Sequence, residues 1–192
     1  DLSAVLSEKK RAIARVVYDE RVLQSLVKNE DESVPISAIQ IAVEENVYFS
    51  LDDGDVDIYN LFGDLVYSNN LFAPKQMEMT ELACELGWTI KKNKLGDTRL
   101  VLTLRNIELS RYRTLGYTCL SYDCVKILGD VDTLNSAYSQ FEILNQGGEV
   151  VFPLQSTETT EEKSRWLSAT VNGTEWTLRM ENVQADSFAK IF

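Results

Sequence analysis

The sequence contains no histidine, and only three of its 192 residues are cysteine. Histidine is the usual base for a serine or cysteine nucleophile and a common zinc ligand, so its absence disfavours both kinds of site. Cys84, Cys119 and Cys124 are odd in number and form no Cys-x-x-Cys pair. We therefore expect reduced thiols, no cofactor, no enzymatic activity and a cytoplasmic or otherwise intracellular location.

Proline and glycine are also scarce, and long apolar runs are missing. Three prolines and nine glycines are too few for a flexible linker of any length. No apolar run approaches the ~18 residues of a membrane span, which predicts a soluble protein without one. No hydrophobic signal segment is apparent, and the chain begins at Asp1, so removal of an upstream segment stays open.

Charge is abundant but unevenly distributed. The formal net charge is −11, whereas residues 91–113 carry seven basic side chains against Asp97 and Glu108. These basic residues are Lys91, Lys92, Lys94, Arg99, Arg105, Arg111 and Arg113. A basic segment in an acidic chain predicts an electrostatic surface for an acidic protein or a nucleic acid.

Hydrophobic periodicity predicts helices mainly in the N-terminal half. Residues 3–28 repeat valine, leucine and isoleucine at three- and four-residue spacing, which is typical of a long amphipathic helix. Lys9 and Glu20 interrupt its apolar stripe, so we expect an arm that packs partly on a partner. Further helices are predicted over residues 36–46, 58–66, 74–86 and 134–144.

Strand signals dominate the C-terminal half. Strands are predicted over residues 47–51, 88–92, 98–105, 117–122, 150–154, 166–171 and 174–180. Asn172-Gly173 favours a two-residue turn in which Val171 faces Thr174. Antiparallel hairpins without a regular βαβ order predict an α+β fold. We expect a helical arm over residues 1–30 and one domain over 31–192, with a subdivision near residue 113 left open.

The acidic stretch Asp52-Asp53-Gly54-Asp55-Val56-Asp57 has two interpretations. The favoured one is a solvated turn in which Asp55 or Asp57 caps the helix predicted over 58–66. In the alternative, an extended strand places Asp55 and Asp57 on one side, where they and Asp53 could hold a divalent cation.

The alternating acid–apolar pattern of residues 55–58 resembles the metal-binding pair of the nucleotidyltransferase superfamily. That resemblance implies a metal-dependent phosphotransfer enzyme using Asp55 and Asp57. The Gly-Ser element that this superfamily places upstream is missing, because residues 38–48 contain neither glycine nor serine. No metal site is therefore favoured.

The order of elements around the basic segment allows a winged-helix-like module. Its basic hairpin would lie along phosphates, and the helix over residues 74–86 would enter the groove. That helix carries Glu78, Glu81 and Glu85, which repel a phosphate backbone. Nucleic-acid binding through residues 91–113 is thus the disfavoured alternative.

The leading prediction is a non-catalytic, protein-binding or structural subunit of a larger assembly. In the predicted hairpin, Trp166 and Trp176 fall on opposite faces, so one is expected in the core and the other as an exposed binding anchor. The candidate contact residues are these two tryptophans and the seven basic residues of segment 91–113.

Overall fold

The computed structural model describes residues 2–27, 34–47, 54–92, 96–124, 126–127, 138–154 and 165–182. The fold is α+β, as predicted, with helices near the N-terminus and antiparallel sheets that lie mostly in the later part. The chain divides into two compact units. One comprises Val5–Cys124, and the other comprises Asp1–Ala4 with Val125–Phe192. The division into an arm and one domain stays a prediction.

Four helices are described: α1 Leu2–Val17, α2 Glu20–Leu26, α3 Ile36–Val47 and α4 Met79–Cys84. The helix predicted over residues 36–46 is confirmed by α3. The single helix predicted over 3–28 is wrong, because the chain breaks after Val17 and starts again at Glu20. The cause is a local cap, since the Asp19 side chain accepts a hydrogen bond from the backbone N–H of Arg21 at 2.9 Å.

The Val5–Cys124 unit is built on a five-stranded sheet. Its strands are β1 Asp55–Asn60, β2 Leu65–Ser68, β3 Gly87–Lys92, β4 Thr98–Glu108 and β5 Arg113–Asp123. They lie in the order β2-β1-β5-β4-β3, and each neighbouring pair is antiparallel. The hairpin predicted from residues 88–92 and 98–105 is confirmed, as is the strand over 117–122.

The helix predicted over residues 58–66 is wrong, because those residues form the β1–β2 hairpin. Gly63 adopts a φ of +81° at the turn, where an added Cβ would clash with the carbonyl oxygen of Met77. The Asn60 side chain accepts hydrogen bonds from the N–H groups of Phe62 and Asp64. These local bonds fix a turn that the apolar spacing did not reveal.

The helix predicted over residues 74–86 is much shorter than expected. Only Met79–Cys84 is helical, because the preceding residues bond to the β1–β2 turn instead. The N–H of Leu65 donates to the carbonyl of Lys75 at 2.9 Å, and the N–H of Met77 donates to that of Gly63 at 2.9 Å.

The five-stranded sheet has two chemically different faces. Even-numbered residues of β1, β4 and β5 point to one face, which we call the helix-covered face. Its most deeply buried side chains are Val56, Ile58, Leu100, Leu102, Asn106, Thr118, Leu120 and Tyr122. The Asn106 amide donates to the carbonyl of Val17 at the end of α1, and Leu26 of α2 lies against Gly116. Helices α1 and α2 therefore pack on this face.

Lys9, one of the two residues that interrupt the predicted stripe, also lies on the helix-covered face. Its ammonium nitrogen is 5.2 Å from the ring centroid of Tyr122. This distance fits a cation–π contact. The charged residue that interrupts the apolar stripe of α1 therefore interacts with an aromatic ring of the same unit.

The second unit contains a four-stranded antiparallel sheet. Its strands are β6 Tyr138–Leu144, β7 Val150–Leu154, β8 Arg165–Thr170 and β9 Thr177–Asn182, in the order β7-β6-β9-β8. The strand over 150–154 is confirmed. The helix predicted over 134–144 is wrong where residues are described, because 138–144 form β6. The strand predicted over 47–51 is wrong at Val47, which is the last residue of α3, and its residues 48–51 lie outside the described residues, as do residues 134–137.

The hairpin of the second unit is confirmed, but its predicted turn is wrong. Thr170 pairs with Thr177, and the N–H of Val171 donates to the carbonyl of Trp176 at 2.9 Å. The turn is therefore longer than two residues. The Thr174 hydroxyl donates to the carbonyl of Val171 and accepts from the N–H of Trp176, which stabilises this longer turn. Across the described part of the chain, no helix is long and apolar enough to cross a membrane.

Candidate functional site

Odd-numbered residues of β1, β4 and β5 form the second face of the five-stranded sheet, which we call the polar face. Asp55 and Asp57 both lie on it, as the extended interpretation of the acidic stretch required. The register places Asp55 opposite Ser121 and Asp57 opposite Cys119. The favoured interpretation as a helix cap is wrong, because both aspartates lie within β1.

Arg99 of β4 reaches across β5 to Asp55. Its Nη2 atom lies 2.5 Å from Asp55 Oδ2 and 3.1 Å from the hydroxyl oxygen of Ser121. The amide of Asn70 donates to the same Asp55 oxygen at 3.1 Å. The side chains of Arg99 and Asp55 are 21% and 27% exposed, so this ion pair is open to solvent on one side.

Asp57 has a different environment from Asp55. The Ser68 hydroxyl donates to Asp57 Oδ1 at 2.6 Å. Burial raises the pKa of Asp57 to about 6, and the negative charge of Asp55 adds to this effect. The Ser68 hydrogen bond and the Arg99 guanidinium oppose it without cancelling it. Asp57 is therefore a carboxyl group that exchanges its proton under mildly acidic conditions.

The other end of the polar face is apolar and closed. Tyr59, Tyr117 and Cys119 form a buried cluster with Leu82 of α4. The Tyr59 hydroxyl donates to the carbonyl of Pro74 at 3.2 Å. Burial raises the pKa of Cys119 to about 12, so this thiol stays protonated and unreactive. One end of the polar face is thus apolar and tightly packed, and the opposite end is polar and half-buried.

The described basic residues of segment 91–113 are divided between ion pairs and exposed positions. Lys91 pairs with Glu81 of α4 and with Glu85, the residue after Cys84, and Arg113 pairs with Glu108 at 3.1 Å. Arg99 is held by Asp55 on the polar face. Lys92, Arg105 and Arg111 are exposed, and Lys94 lies outside the described residues.

The winged-helix alternative is wrong. The predicted basic hairpin consists of β3 and β4, which are part of a five-stranded sheet. The helix that was expected to enter a groove is reduced to α4, and Lys91 pairs with Glu81 of α4 and with Glu85, which follows it. Within the described ranges, no helix presents the basic segment to a nucleic acid.

The metal interpretation gains no support from the arrangement of the carboxylates. No group of three or more metal-ligating side chains occurs among the described residues. Asp53 lies outside them. The two remaining candidates have other partners, because Asp55 binds Arg99 and Asp57 binds Ser68.

The two tryptophan candidates both lie in the second unit. Trp176 is buried next to the hairpin turn, so it is a core residue. Trp166 belongs to β8 and pairs with Glu181 in the register, while its side chain lies outside the description.

Sequence reasoning missed Ser68, Asn70 and Ser121, which complete the polar end. The run Ser68-Asn69-Asn70 carries a turn signal that would have placed a loop beside the acidic strand. Ser121 has no such signal, because its place between Asp55 and Arg99 depends on the pairing of three strands.

Comparison with solved structures identifies the fold as one shared with PAS/Cache-like sensory domains. A domain of a Vibrio parahaemolyticus protein assigned to the sensory box/GGDEF family matches with a TM-score of 0.62 and 9% identity, over 94% of this chain and 89% of that one. The ligand-binding domain of the Pseudomonas aeruginosa PAO1 amino acid chemoreceptor PctC, solved with GABA, gives 0.58 and 10%, over 93% of each chain.

A third match is an extracellular ligand binding receptor from Desulfohalobium retbaense. Its TM-score is 0.53 at 10% identity, and the alignment covers 94% of this chain but 39% of the receptor. No family model matches the chain, and a search of curated proteins finds no match. At these low identities the likeness shows the fold.

These comparisons overturn the predicted function, partners and location. An assembly subunit that binds protein is wrong, because the matching domains are described as sensory or ligand-binding, and one of them holds a small molecule. The phosphotransfer and nucleic-acid alternatives fall with it. The predicted intracellular location, and with it the description as an intracellular structural subunit, are also wrong, because the fold is that of domains described as an extracellular receptor or as part of a chemoreceptor.

Proposed function

We propose that this chain is the ligand-binding domain of a sensor and that it binds a small molecule carrying an ammonium group. The observation that carries the proposal is the half-buried polar end of the polar face, where Asp55, Asp57, Arg99 and Ser121 meet. The domain binds and does not catalyse. Its proposed location is extracytoplasmic, as the description of the extracellular receptor with this fold suggests.

The charge at the polar end favours a cationic group in the ligand. Asp123 pairs with Arg99 in the strand register, so it lies on the same face as Asp55 and Asp57. Since Arg99 is bound to Asp55, an ammonium group beside Asp57 would form an ion pair with the second carboxylate of this end.

The distribution of burial supports the same location. The Tyr59 end of the face is packed under α4, whereas Ser121 and Thr89 are only partly buried. A small molecule would therefore lie over these partly buried residues, with its ammonium group toward Asp57. GABA, the molecule bound to the PctC domain, also carries an ammonium group.

Thermal unfolding with a panel of small molecules tests the proposal. The panel contains GABA, the common L-amino acids, simple primary amines and, as a negative class, dicarboxylates without nitrogen. A ligand that binds only the folded chain raises the melting temperature with concentration. We expect at least one ammonium compound to do so saturably, and no dicarboxylate.

Two variants of the polar end and one control variant locate the response. Asp57→Asn should abolish the rise, while Glu8→Gln, which removes one exposed carboxylate from α1, should leave it intact. Ser121→Phe fills the polar end without changing its charge and should also abolish the rise. A response that survives both Asp57→Asn and Ser121→Phe, or a panel with no response, contradicts the proposal.

A further inference from the structure

The hydroxyl group of Ser68 has more acceptors than it has hydrogens. Its oxygen lies 2.6 Å from Asp57 Oδ1 and 3.0 Å from the carbonyl oxygen of Asn70, and it accepts the N–H of Asn70 at 2.8 Å. A serine hydroxyl carries one hydrogen to donate and two lone pairs that accept. It therefore donates either to Asp57 or to Asn70, and not to both.

Asn70 in turn organises the loop that follows β2. Its side-chain oxygen accepts the N–H of Phe72 at 2.9 Å, its backbone carbonyl accepts the N–H of Ala73 at 3.2 Å, and its amide donates to Asp55. Leu71 and Phe72 are 97% and 86% exposed. The Ser68 hydroxyl thus stands between the Asp57 carboxyl group and a loop that presents two large apolar side chains.

We infer that Asp57 and the loop of residues 69–73 form a proton-sensitive pair, in which protonation of Asp57 transfers the hydrogen bond donated by Ser68 from Asp57 to the carbonyl of Asn70. When Asp57 is ionised it is only an acceptor, so the Ser68 hydrogen points to it. When Asp57 is protonated, its own O–H donates to Ser68 Oγ. The Ser68 hydrogen is then free to bind Asn70, and the turn gains a hydrogen bond.

The groups around Asp57 determine where this exchange falls on the pH scale. Asp55 on the same strand favours the protonated form, and Arg99 on β4 favours the ionised form. Tyr59 on β1 and Cys119 on β5 keep their protons, because burial raises the pKa of each. Strand β2 carries no charged side chain. With its pKa raised to about 6, Asp57 changes charge between neutral and mildly acidic conditions.

This coupling would regulate the site proposed above, and in that respect it rests on the proposed function. A protonated Asp57 is neutral and no longer attracts an ammonium group, so protons compete with the ligand. The hydrogen-bond exchange itself needs no ligand. It can therefore be tested on the ligand-free chain, and it can succeed or fail independently of ligand binding.

Nuclear magnetic resonance on the ligand-free chain tests the coupling directly. A hydrogen bond to the Asn70 carbonyl polarises the peptide group that it shares with the N–H of Leu71, so the 15N shift of Leu71 reports the bond. We expect this shift and the 13C shift of the Asp57 carboxyl group to titrate together, with a midpoint near 6.

Three variants test whether the Leu71 shift responds to Asp57 through the Ser68 hydroxyl. In Ser68→Ala the Asp57 carboxyl group should still titrate, at a higher pH because a stabilising hydrogen bond is lost, while Leu71 should no longer respond. Asp57→Asn should also abolish the Leu71 titration, and Asp64→Asn, at the other end of β2, should leave it unchanged. The inference is overturned if the 15N shift of Leu71 still changes with pH in Ser68→Ala. It is also overturned if that shift stays constant while the Asp57 carboxyl group titrates in the unaltered chain.

Discussion

The guanidinium of Arg99 contacts the carboxylate of Asp55 at 2.5 Å although strand β5 lies between their two strands. Neighbouring strands are about 4.8 Å apart, so the arginine side chain spans two inter-strand gaps. It passes over Ser121, whose hydroxyl and carbonyl oxygens it also contacts. One residue therefore joins β4, β5 and β1, and it neutralises Asp55 while Asp57 keeps its own charge.

Removing this guanidinium should destabilise the sheet and change the pKa of Asp57. We expect Arg99→Gln to lower the free energy of unfolding by about 2 kcal/mol, between the values for exposed and buried ion pairs. It should also raise the pKa of Asp57 further, because Arg99 favours the ionised form. Urea unfolding and carboxyl 13C titration measure the two effects.

Arg113→Gln is the matched control for that substitution. Arg113 pairs with Glu108, and its side chain is 49% exposed, so the loss should stay below about 1 kcal/mol. Equal losses in the two variants would show that the three-strand contact of Arg99 contributes nothing beyond a surface ion pair.

Asn106 should be among the most sensitive polar residues of the helix-covered face. Its fully buried side chain donates to the carbonyl of Val17 and accepts the hydroxyl of Thr118 at 2.9 Å. Asn106→Ala leaves both partners buried without a hydrogen bond and should lower the free energy of unfolding by about 2–4 kcal/mol. Gln40→Ala, on the exposed side of α3, should change it by less than about 0.5 kcal/mol. Similar values in chemical unfolding would contradict this role.

Because the pKa of Asp57 is raised, its contribution to stability should change with pH in a definite direction. Between its ordinary pKa of 3.8 and the folded value of about 6, the folded chain binds the extra proton. The contribution of Asp57 to the free energy of unfolding is therefore greatest at low pH, falls as pH rises from about 4 to 6, and is constant above that. The fall is on the order of 3 kcal/mol, because one pKa unit corresponds to 1.36 kcal/mol.

The difference in unfolding free energy between the unaltered chain and Asp57→Asn isolates that contribution. It should fall with rising pH across the same window. If the difference in unfolding free energy for Asp57→Asn did not change with pH, or changed in the opposite direction, the pKa of Asp57 would not be raised by burial.

The sequence predicted the fold class and several strands because local patterns determine them. Alternation in residues 88–92 and 98–105 was sufficient for β3 and β4. The helix over residues 36–46 was predicted correctly, although the apolar spacing of that stretch also fits a strand. The β1–β2 hairpin was missed because its turn depends on the bonds of Asn60 and the positive φ of Gly63. Those are properties of single residues that hydrophobic spacing does not register.

The candidate site was only half predictable. The spacing of Asp55 and Asp57 indicated two carboxylates on one side of a strand. However, the interpretation in which one of them caps a helix was favoured. Their partners could not be predicted, because Arg99 and Ser121 reach Asp55 only through the sheet order β1-β5-β4. The basic segment appeared continuous in the sequence, yet folding pairs Lys91, Arg99 and Arg113 with different acids.

Chemical-shift mapping of a bound ammonium ligand tests the central claim most directly. The compound that raises the melting temperature most would be titrated into the 15N-labelled chain at pH 7.5, where Asp57 is ionised. We expect the largest shifts at Asp57, Arg99, Val101 and Ser121, and small ones at Val16, Val56 and Leu102 of the helix-covered side. Shifts centred on the helix-covered side, or on β6–β9, would contradict a ligand site on the polar face.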